Sequence, residues 1–477
     1  MEIIDFTYLM PLIILACAPV VSLIAISVYR NHLITFLLAV VSMFIFLVCI
    51  INQWSDLPEA HIVADLLVLD SFSLFYLVLL GGAGLLLLFI SYPYLSQHAE
   101  VKEEYYVLFQ TAIFGAAVLV ISVHFASLLL GLEILSISLY SLIAYTRNWD
   151  NSIEGGLKYL ILAAASSAFL LFGMALIYIE TGTLVFAKLG LAFESIGSLS
   201  TAGLAMMLVG VGFKLALVPF HTWTPDIYQG APAPISAFIA SISKGSMVAV
   251  LLRFLYATGG LKLDWLVWTL SMMAIASMLF GSILALRQDN IKRLLAYSGI
   301  AHLGYILIAI LAKTDLSVQA VTFYLVAYFI SIIGTFGSLA IFSSSDGEIE
   351  DIADLRGMFW TRPVLSTIFS AMFFSLVGLP LTAGFIGKFY VVWAAISDGL
   401  WLLVIMLVIS SVIGLYYYLR VIKTMLSPIE EHTPKTASAG LSKMGFAALS
   451  GLGLMVIWFG IFPSGLIGLI KSLSLSF

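Results

Sequence analysis

Apolar runs of about twenty residues, the length a helix needs to cross a bilayer, recur along nearly the whole of this chain. In hydrocarbon every backbone N–H and C=O must find its partner within the protein, so such runs cross as helices unless they close into a barrel. The chain has 477 residues, 62% hydrophobic and 10% charged, whereas a soluble globular protein carries about 25% charged residues. These figures predict an all-α polytopic membrane protein. The soluble-chain prior of about 150 residues per domain does not apply to such a bundle.

Reading for runs of this length gives about fourteen transmembrane helices, at 8–28, 33–52, 72–92, 105–122, 124–146, 156–179, 201–222 with a continuation to 240, 242–258, 265–286, 293–312, 317–343, 363–396, 400–425 and 444–470. The stretch from Tyr105 to Tyr145 is too long for one crossing and is divided at His124, read as a turn residue. Loop cations test the count, because Lys and Arg gather on the cytoplasmic side. Loops after odd-numbered spans hold twelve: Arg30, Lys102, Arg147, Arg287, Lys292, Arg293, Arg356, Arg362, Arg420, Lys423, Lys435 and Lys443. Loops after even-numbered spans hold three: Lys188, Lys262 and Lys313. The asymmetry favours an even number of spans and expects both termini on the non-cytoplasmic side.

Several function classes recede. A net charge of −5 speaks against nucleic-acid binding, and the acidic start Met-Glu-Ile-Ile-Asp does not fit a basic signal-peptide region. Cys17 and Cys49 fall in apolar spans and match no metal-ligand spacing, so no metal site is expected. The longest polar loops, near 344–362 and 427–443, are too small for a nucleotide, flavin or iron–sulfur domain. No cofactor is expected on this chain. An ion gradient or a partner must drive it.

Two spans are interrupted. GVGFKLALVPFHTWTPDIYQGAPAPISAF contains Pro219, Pro225, Pro232, Pro234 and Gly230, which one regular helix cannot hold, since each proline removes a backbone bond and clashes with the preceding turn. SLVGLPLTAGFIGKFY has Gly378, Pro380, Gly384 and Gly387 before Lys388. Non-helical backbone at membrane depth survives only inside protein or beside a wet cavity. The breaks fall in the seventh and twelfth spans, five apart, which is the spacing of two inverted five-helix repeats at spans 4–8 and 9–13 with an ion path between them. The competing explanation is ordinary proline kinks; the lysines beside both breaks weigh against it.

A lysine in hydrocarbon costs roughly 2.5–3.5 kcal/mol even on the gentlest scale. Lys214, Lys244 and Lys388 nevertheless lie in apolar spans, as do Glu133 and His302. Ser136 and Tyr140 share the helical face of Glu133 at i+3 and i+7. Lys158, near the start of its span, either pairs with Glu133 or snorkels to the interface. Lys214 shares a face with His221 at i+7, a gap of roughly 10 Å that bridging waters would have to fill. Lys244 follows Ser241 by three residues, while Ser298 and Tyr305 flank His302 and Tyr324 and Tyr328 form an i, i+4 pair. Desolvation disfavours a charged amine, and a three-unit change in its affinity for protons is roughly 4 kcal/mol. Moving one charge through 100 mV is about 2.3 kcal/mol. The scales match, so such groups can load and unload protons against a membrane potential. The plainer alternatives are a structural ion pair for Glu133 and simple packing for His302. Arg253 is read as snorkelling.

The segments HFASLLLGLEILSISLY, GLKYLILAAASSAFLLFGMALIY, GFKLALVPFHTWTPDIYQGAPAPISAF, NIKRLLAYSGIAHLGY and GLPLTAGFIGKFYV resemble the antiporter-like membrane subunits of respiratory complex I, the proton-translocating NADH:quinone oxidoreductase, and within that family the subunit N branch. The likeness runs from about residue 70 to 425 and is most specific at VPFHTWTPDIYQGAPAP. By position, Glu133 is similar to the family's glutamate on the fifth span, and Lys214, Lys244 and Lys388 to its lysines on the seventh, eighth and twelfth. Subunit M relatives usually have glutamate at the last place, and subunit L carries a long lateral helix.

The resemblance implies proton transport coupled to NADH oxidation and quinone reduction elsewhere. NADH, FMN, iron–sulfur clusters and quinone are then expected in partner subunits. The partners implied are a neighbouring antiporter-like subunit, small membrane subunits and lipid, in a bacterial inner membrane. It also implies a division into 1–104 (spans 1–3), 105–260 (first repeat), 261–426 (inverted repeat) and 427–477 (last loop and span). Two other readings stay open at this point. One is a subunit of a multi-subunit cation/proton antiporter or membrane-bound hydrogenase. The other is a scaffold whose charges only hold helices together.

Overall fold

A computed structural model describes residues 3–56, 60–147, 149–193, 196–343, 347–428 and 443–473. Lys435, counted above among the loop cations, lies outside the described residues, as do the chain ends at 1–2 and 474–477.

The chain begins with α1 (Ile3–Val28) and α2 (His32–Asp56), then a hairpin of β1 (His61–Val63) and β2 (Leu67–Leu69), with His61 opposite Leu69. Helices α3 (Ser71–His98), α4 (Glu103–Val120), α5 (Phe125–Ile143), α6 (Asp150–Thr181) and the short α7 (Phe186–Ala192) follow. Next come α8 (Ser198–Leu215), α9 (Trp223–Gly230), α10 (Ala233–Phe238), a π turn at Ile239–Ser243 and α11 (Lys244–Ala257). The second half runs through α12 (Asp264–Leu286), α13 (Ile291–Leu311), α14 (Ser317–Phe342), α15 (Met358–Thr361), α16 (Pro363–Val377), α17 (Ala383–Ser397), α18 (Trp401–Leu426), α19 (Lys443–Ile461) and α20 (Ser464–Lys471). Among the described residues, twelve helical stretches are long and apolar enough to cross a membrane. Adding α4, whose first turn holds Glu103 and Glu104, and the α16–α17 pair gives the fourteen expected spans.

Burial sorts these spans into centre and periphery. The most apolar windows of α10–α11, α13 and α14 are 100%, 94% and 94% buried, against 33% for α2, α6 and α19. The central helices carry Lys244, His302, Tyr324 and Tyr328; the outer ones present Leu, Ile, Val and Phe to lipid. Apolar side chains gain little by leaving lipid for each other, so close backbone approach does much of the packing. At the α6–α8 contact a Cβ on Gly173 would stand 2.5 Å from the Gly203 carbonyl oxygen, and one on Gly203 would stand 2.6 Å from that of Gly173. No other residue fits either place.

Spans 7 and 12 are discontinuous, as expected, but the boundary between spans 7 and 8 differs from the sequence reading. α8 stops at Leu215, where Ala216 turns left-handed at φ 57°, and span 7 resumes as α9. Span 8 begins at Ala233 rather than 242. Pro232 caps α10 and Pro234 sits in its first turn, where no intrahelical donor is needed. These prolines start a helix; they do not break one. The last expected span, 444–470, is likewise divided, with Pro463 preceding α20.

Candidate functional site

The break after α8 sets the first group. Lys214, in the last turn of α8, is buried and donates a 2.6 Å hydrogen bond to Ser136 Oγ on α5. It also reaches Tyr159 Oη on α6 at 3.5 Å, with its Nζ 5.3 Å from that ring's centre. Ser136 Oγ–H in turn donates a hydrogen bond to the Leu132 carbonyl one turn back. Glu133 lies within electrostatic range of Lys214, and its Oε1 is buried with no hydrogen-bond partner among the described residues. Tyr140 keeps to the face of Glu133 and stacks edge-on against Tyr159.

His221 does not join this group as the sequence predicted. The i+7 relation to Lys214 assumes continuous helix, and the left-handed turn at Ala216 destroys that register. His221 sits within the break, near the Pro219 carbonyl, its Nδ1 buried and without a hydrogen-bond partner among the described residues. Its seven-residue break is closed by Val218 N–H donating to Ser277 Oγ on α12 at 2.9 Å.

Lys158 does not pair with Glu133 and stays partly exposed. Its Nζ pairs with Glu154 at 2.6 Å and Asp226 at 3.0 Å, because α6 packs along α9 and brings Asp226 to it. Asp226 also accepts from Arg293 at 2.7 Å. Arg253 is not snorkelling: it is fully buried against Asp70 and Ser73 of the α3 start. Lys292 is buried rather than in a solvated loop and forms an ion pair with Glu348.

Lys244 opens α11 directly after the π turn, an element that often marks a functional site. It is 1% exposed, and its Nζ has no hydrogen-bond partner among the described residues. Its ammonium faces the ring of Tyr228 at 5.3 Å. Tyr228 in turn lies in electrostatic range of Tyr159 and Tyr328, so it stands between the Lys214 group and the second half.

The second half is hydroxyl-rich. His302 Nδ1 is 2.7 Å from Tyr324 Oη and its Nε2 is 3.3 Å from Tyr418 Oη. Ser298 bonds the same Tyr418 hydroxyl. Tyr328 and Tyr305 stand 5.3 and 5.4 Å from the imidazole, ring centre to ring centre. Tyr305 Oη meets Ser410 Oγ at 2.7 Å, and Ser410 meets Ser282 at 2.6 Å. Lys388 spans the second break: its Nζ donates to the Val377 carbonyl at 2.8 Å and to Ser411 Oγ at 3.0 Å, 4.9 Å from the Tyr305 ring. Gly378 supplies the required turn at φ 82°, and Gly384 N–H donates to Ser375 Oγ. Beside His302, Tyr324, Tyr328, Ser331 and Gly384 line a cavity of about 10 Å³, room for about one water.

The family described as NADH:quinone oxidoreductase/Mrp antiporter, TM, matches residues 122–414, which include every ionisable group of this line. Subunit N of NADH-quinone oxidoreductase from Nitrosospira multiformis is 44% identical over 489 aligned residues, covering 98% of this chain and 96% of that protein. The chain belongs to the subunit N family of NADH-quinone oxidoreductase. It is a multi-pass integral membrane protein and a membrane-arm subunit of a proton-translocating oxidoreductase. Respiratory complex I from Thermus thermophilus contains a chain similar to this one at TM-score 0.83 and 29% identity, covering 96% of this chain and 98% of that one. The Mrp complex from Dietzia sp. DQ12-45-1b matches at TM-score 0.86 but 19% identity, over 97% of this chain and 96% of that one, which is a likeness of fold alone. Fold therefore does not separate the redox-driven reading from the antiporter reading; sequence identity does.

Sequence reasoning missed several residues that the structure places beside these groups: Tyr159, Tyr228, Tyr418, Ser410 and Ser411. Tyr159, Tyr418, Ser410 and Ser411 stand in apolar helices where a tyrosine or serine passes as ordinary packing, and Tyr228 lies in the short α9 between the two halves of the break region. Tyr418, in the run Tyr416-Tyr417-Tyr418, gave the one usable hint, since a buried tyrosine hydroxyl needs a partner.

Proposed function

We propose that Glu133, Lys214, Lys244, His302 and Lys388 carry protons through this subunit while NADH oxidation and quinone reduction occur in its partners. The observation that carries the reading is Lys244: a lysine at the centre of the bundle with no hydrogen-bond partner among the described residues, between two groups rich in hydroxyls. An ammonium without partners in a dry core is costly, so a neutral amine or hydrating water must accompany it. Either condition suits a site that gains and loses a proton.

Ser136 and Tyr159 tie the Lys214 amine to the Glu133 side of α5. Tyr228 and Tyr328 line the interval from there to His302. The imidazole has a hydroxyl at each nitrogen, so it can accept a proton at one and release it from the other by exchanging tautomers. Tyr305, Ser410 and Ser411 continue to Lys388. Glu133 and Lys388 are partly open to the sides of the bundle, where a neighbouring antiporter-like subunit and small membrane subunits would continue the line.

The same reading takes 1–104 as an accessory three-span unit, 105–260 and 261–426 as inverted repeats each holding one broken helix and one break lysine, and 427–477 as the closing segment. It puts NADH, FMN, iron–sulfur clusters and quinone on other subunits of a complex in the bacterial inner membrane. With the buried Lys292 set aside, the remaining eleven-to-three excess of loop cations supports both termini facing away from the cytoplasm.

The test is Lys244→Ala, Lys214→Ala and His302→Ala in the assembled complex within sealed vesicles. Proton pumping per NADH oxidised is expected to fall with each. Normal assembly with unchanged pumping in all three would leave only the scaffold reading.

A further inference from the structure

A second buried ion pair lies outside this line. Lys292, on the first turn of α13, and Glu348, in the segment before α15, are 1% and 3% exposed and paired. Lys292 Nζ donates to the Gln229 carbonyl at 3.0 Å and the Ala231 carbonyl at 2.8 Å, at the C-terminal end of α9. Glu348 Oε1 accepts from Ala233 N–H at 2.8 Å, the first residue of α10, and from Tyr94 Oη of α3 at 2.6 Å. One ion pair thus caps both sides of a single helix junction. The cation takes the carbonyl end of α9 and the carboxylate takes the N–H end of α10, each the favourable sign for its helix dipole.

We propose that Lys292 and Glu348 are a positioning pair for Lys244. Tyr228, the residue before Gln229, presents its ring to Lys244; Ala233 begins the helix that leads through the π turn to Lys244 itself. Both partners of that contact hang from the clamped junction. Glu350 reinforces it by accepting from Gln229 and from Asn290, the cap of α13. A shift of the junction moves the Tyr228 ring and the Lys244 amine relative to each other. Misplacing a reacting group by about 1 Å costs on the order of a hundredfold in rate. This inference rests on the reading of Lys244 as a proton carrier.

The experiment uses the whole complex in sealed vesicles, with Glu348→Gln, Glu348→Asp, Lys292→Met and the pair Lys292→Met/Glu348→Gln. Two quantities are read: proton pumping per NADH oxidised across pH, and amide hydrogen exchange in the segment 228–236. Glu348→Gln is expected to speed exchange there, to lower pumping about ten- to a hundredfold and to displace its pH profile, with Glu348→Asp recovering part of both. If Lys292→Met leaves too little complex to assay, the double variant is the one to measure, since it removes the orphaned buried carboxylate. It is expected to assemble and still pump poorly. Unchanged exchange and an unchanged pH profile in Glu348→Gln or in the double variant, alongside an inactive Lys244→Ala, would overturn the positioning pair. Full pumping by Lys244→Ala would instead sink the reading on which it stands.

Discussion

Arg253 holds Asp70 by two hydrogen bonds, Nη1 to Oδ2 at 2.9 Å and Nη2 to Oδ1 at 3.0 Å, with both side chains at most 1% exposed. Asp70 also caps α3 by accepting from Ser73 N–H at 2.7 Å, so one carboxylate ties span 8 to the start of span 3. Breaking a buried pair from one side leaves the other charge stranded, at a cost of about 3–5 kcal/mol. Arg253→Met is therefore expected to lower the yield and thermal midpoint of the assembled complex sharply. Arg253→Met/Asp70→Leu should recover much of the loss in the same melting measurement. A single variant as stable as the native complex would refute this account.

Ser136 tests the first group without touching an ionisable residue. A hydrogen bond to a charged group contributes about 1.5–3 kcal/mol. Removing it with Ser136→Ala should reduce proton pumping, though less than Lys214→Ala does. Ser136→Thr keeps a hydroxyl and should keep most of the activity. Dye quenching in vesicles, normalised to NADH oxidation, reads all three; equal pumping by Ser136→Ala and native would end the argument.

Gly378 and Gly399 separate backbone strain from the placement of Lys388. Their φ angles are 82° and 74°, so alanine at either costs about 1–2 kcal/mol. A Cβ on Gly378 would lie 2.8 Å from Lys388 Cδ, whereas one on Gly399 meets nothing within 4 Å. Both alanine variants should lose similar thermal stability. Only Gly378→Ala should lose pumping, because only there does the new methyl push the lysine off the Val377 carbonyl.

His124 gives a pH prediction outside the spans. It caps α5 through Nδ1, which accepts from Ala126 N–H at 3.0 Å and must be unprotonated to do so. Burial, aided by Lys188 and opposed by Asp65, lowers its proton affinity below that of a free histidine at 6.5. A depressed base means the unfolded chain binds more protons as pH falls, so folded stability is whole above 6.5 and declines below it. His124→Asn keeps a capping acceptor and should flatten that decline, measured as the melting midpoint from pH 7.5 to about 5.5. An unchanged slope would mean that other groups set it.

Helix number, the two breaks and the five principal ionisable residues were legible along the chain because each is a local violation. A lysine in a run of leucines, or a proline at membrane depth, carries a cost that no distant contact removes from view. The hydroxyl partners were not legible, because Tyr159, Tyr228 and Tyr418 read as apolar bulk until their neighbours are known. Lys292 and Glu348 were hidden differently. Glu348 sits in the acidic stretch Asp-Gly-Glu-Ile-Glu-Asp, which has the composition of a solvated loop, and Lys292 was counted among cytoplasmic cations.

What the chain determined alone is that it lives in a bilayer, that it breaks near 219 and 380, and that charges lie deep within it. Lipid imposes those outcomes segment by segment, through hydropathy, length and unsatisfied backbone. Only the tertiary structure decided which charges are held in pairs and which stand without a partner. Arg253 and Lys158 found carboxylates from segments 183 and 68 residues away, while Lys244 found an aromatic face. Pairing depends on where helices cross, and helix crossing is set by contacts that no stretch of sequence carries by itself.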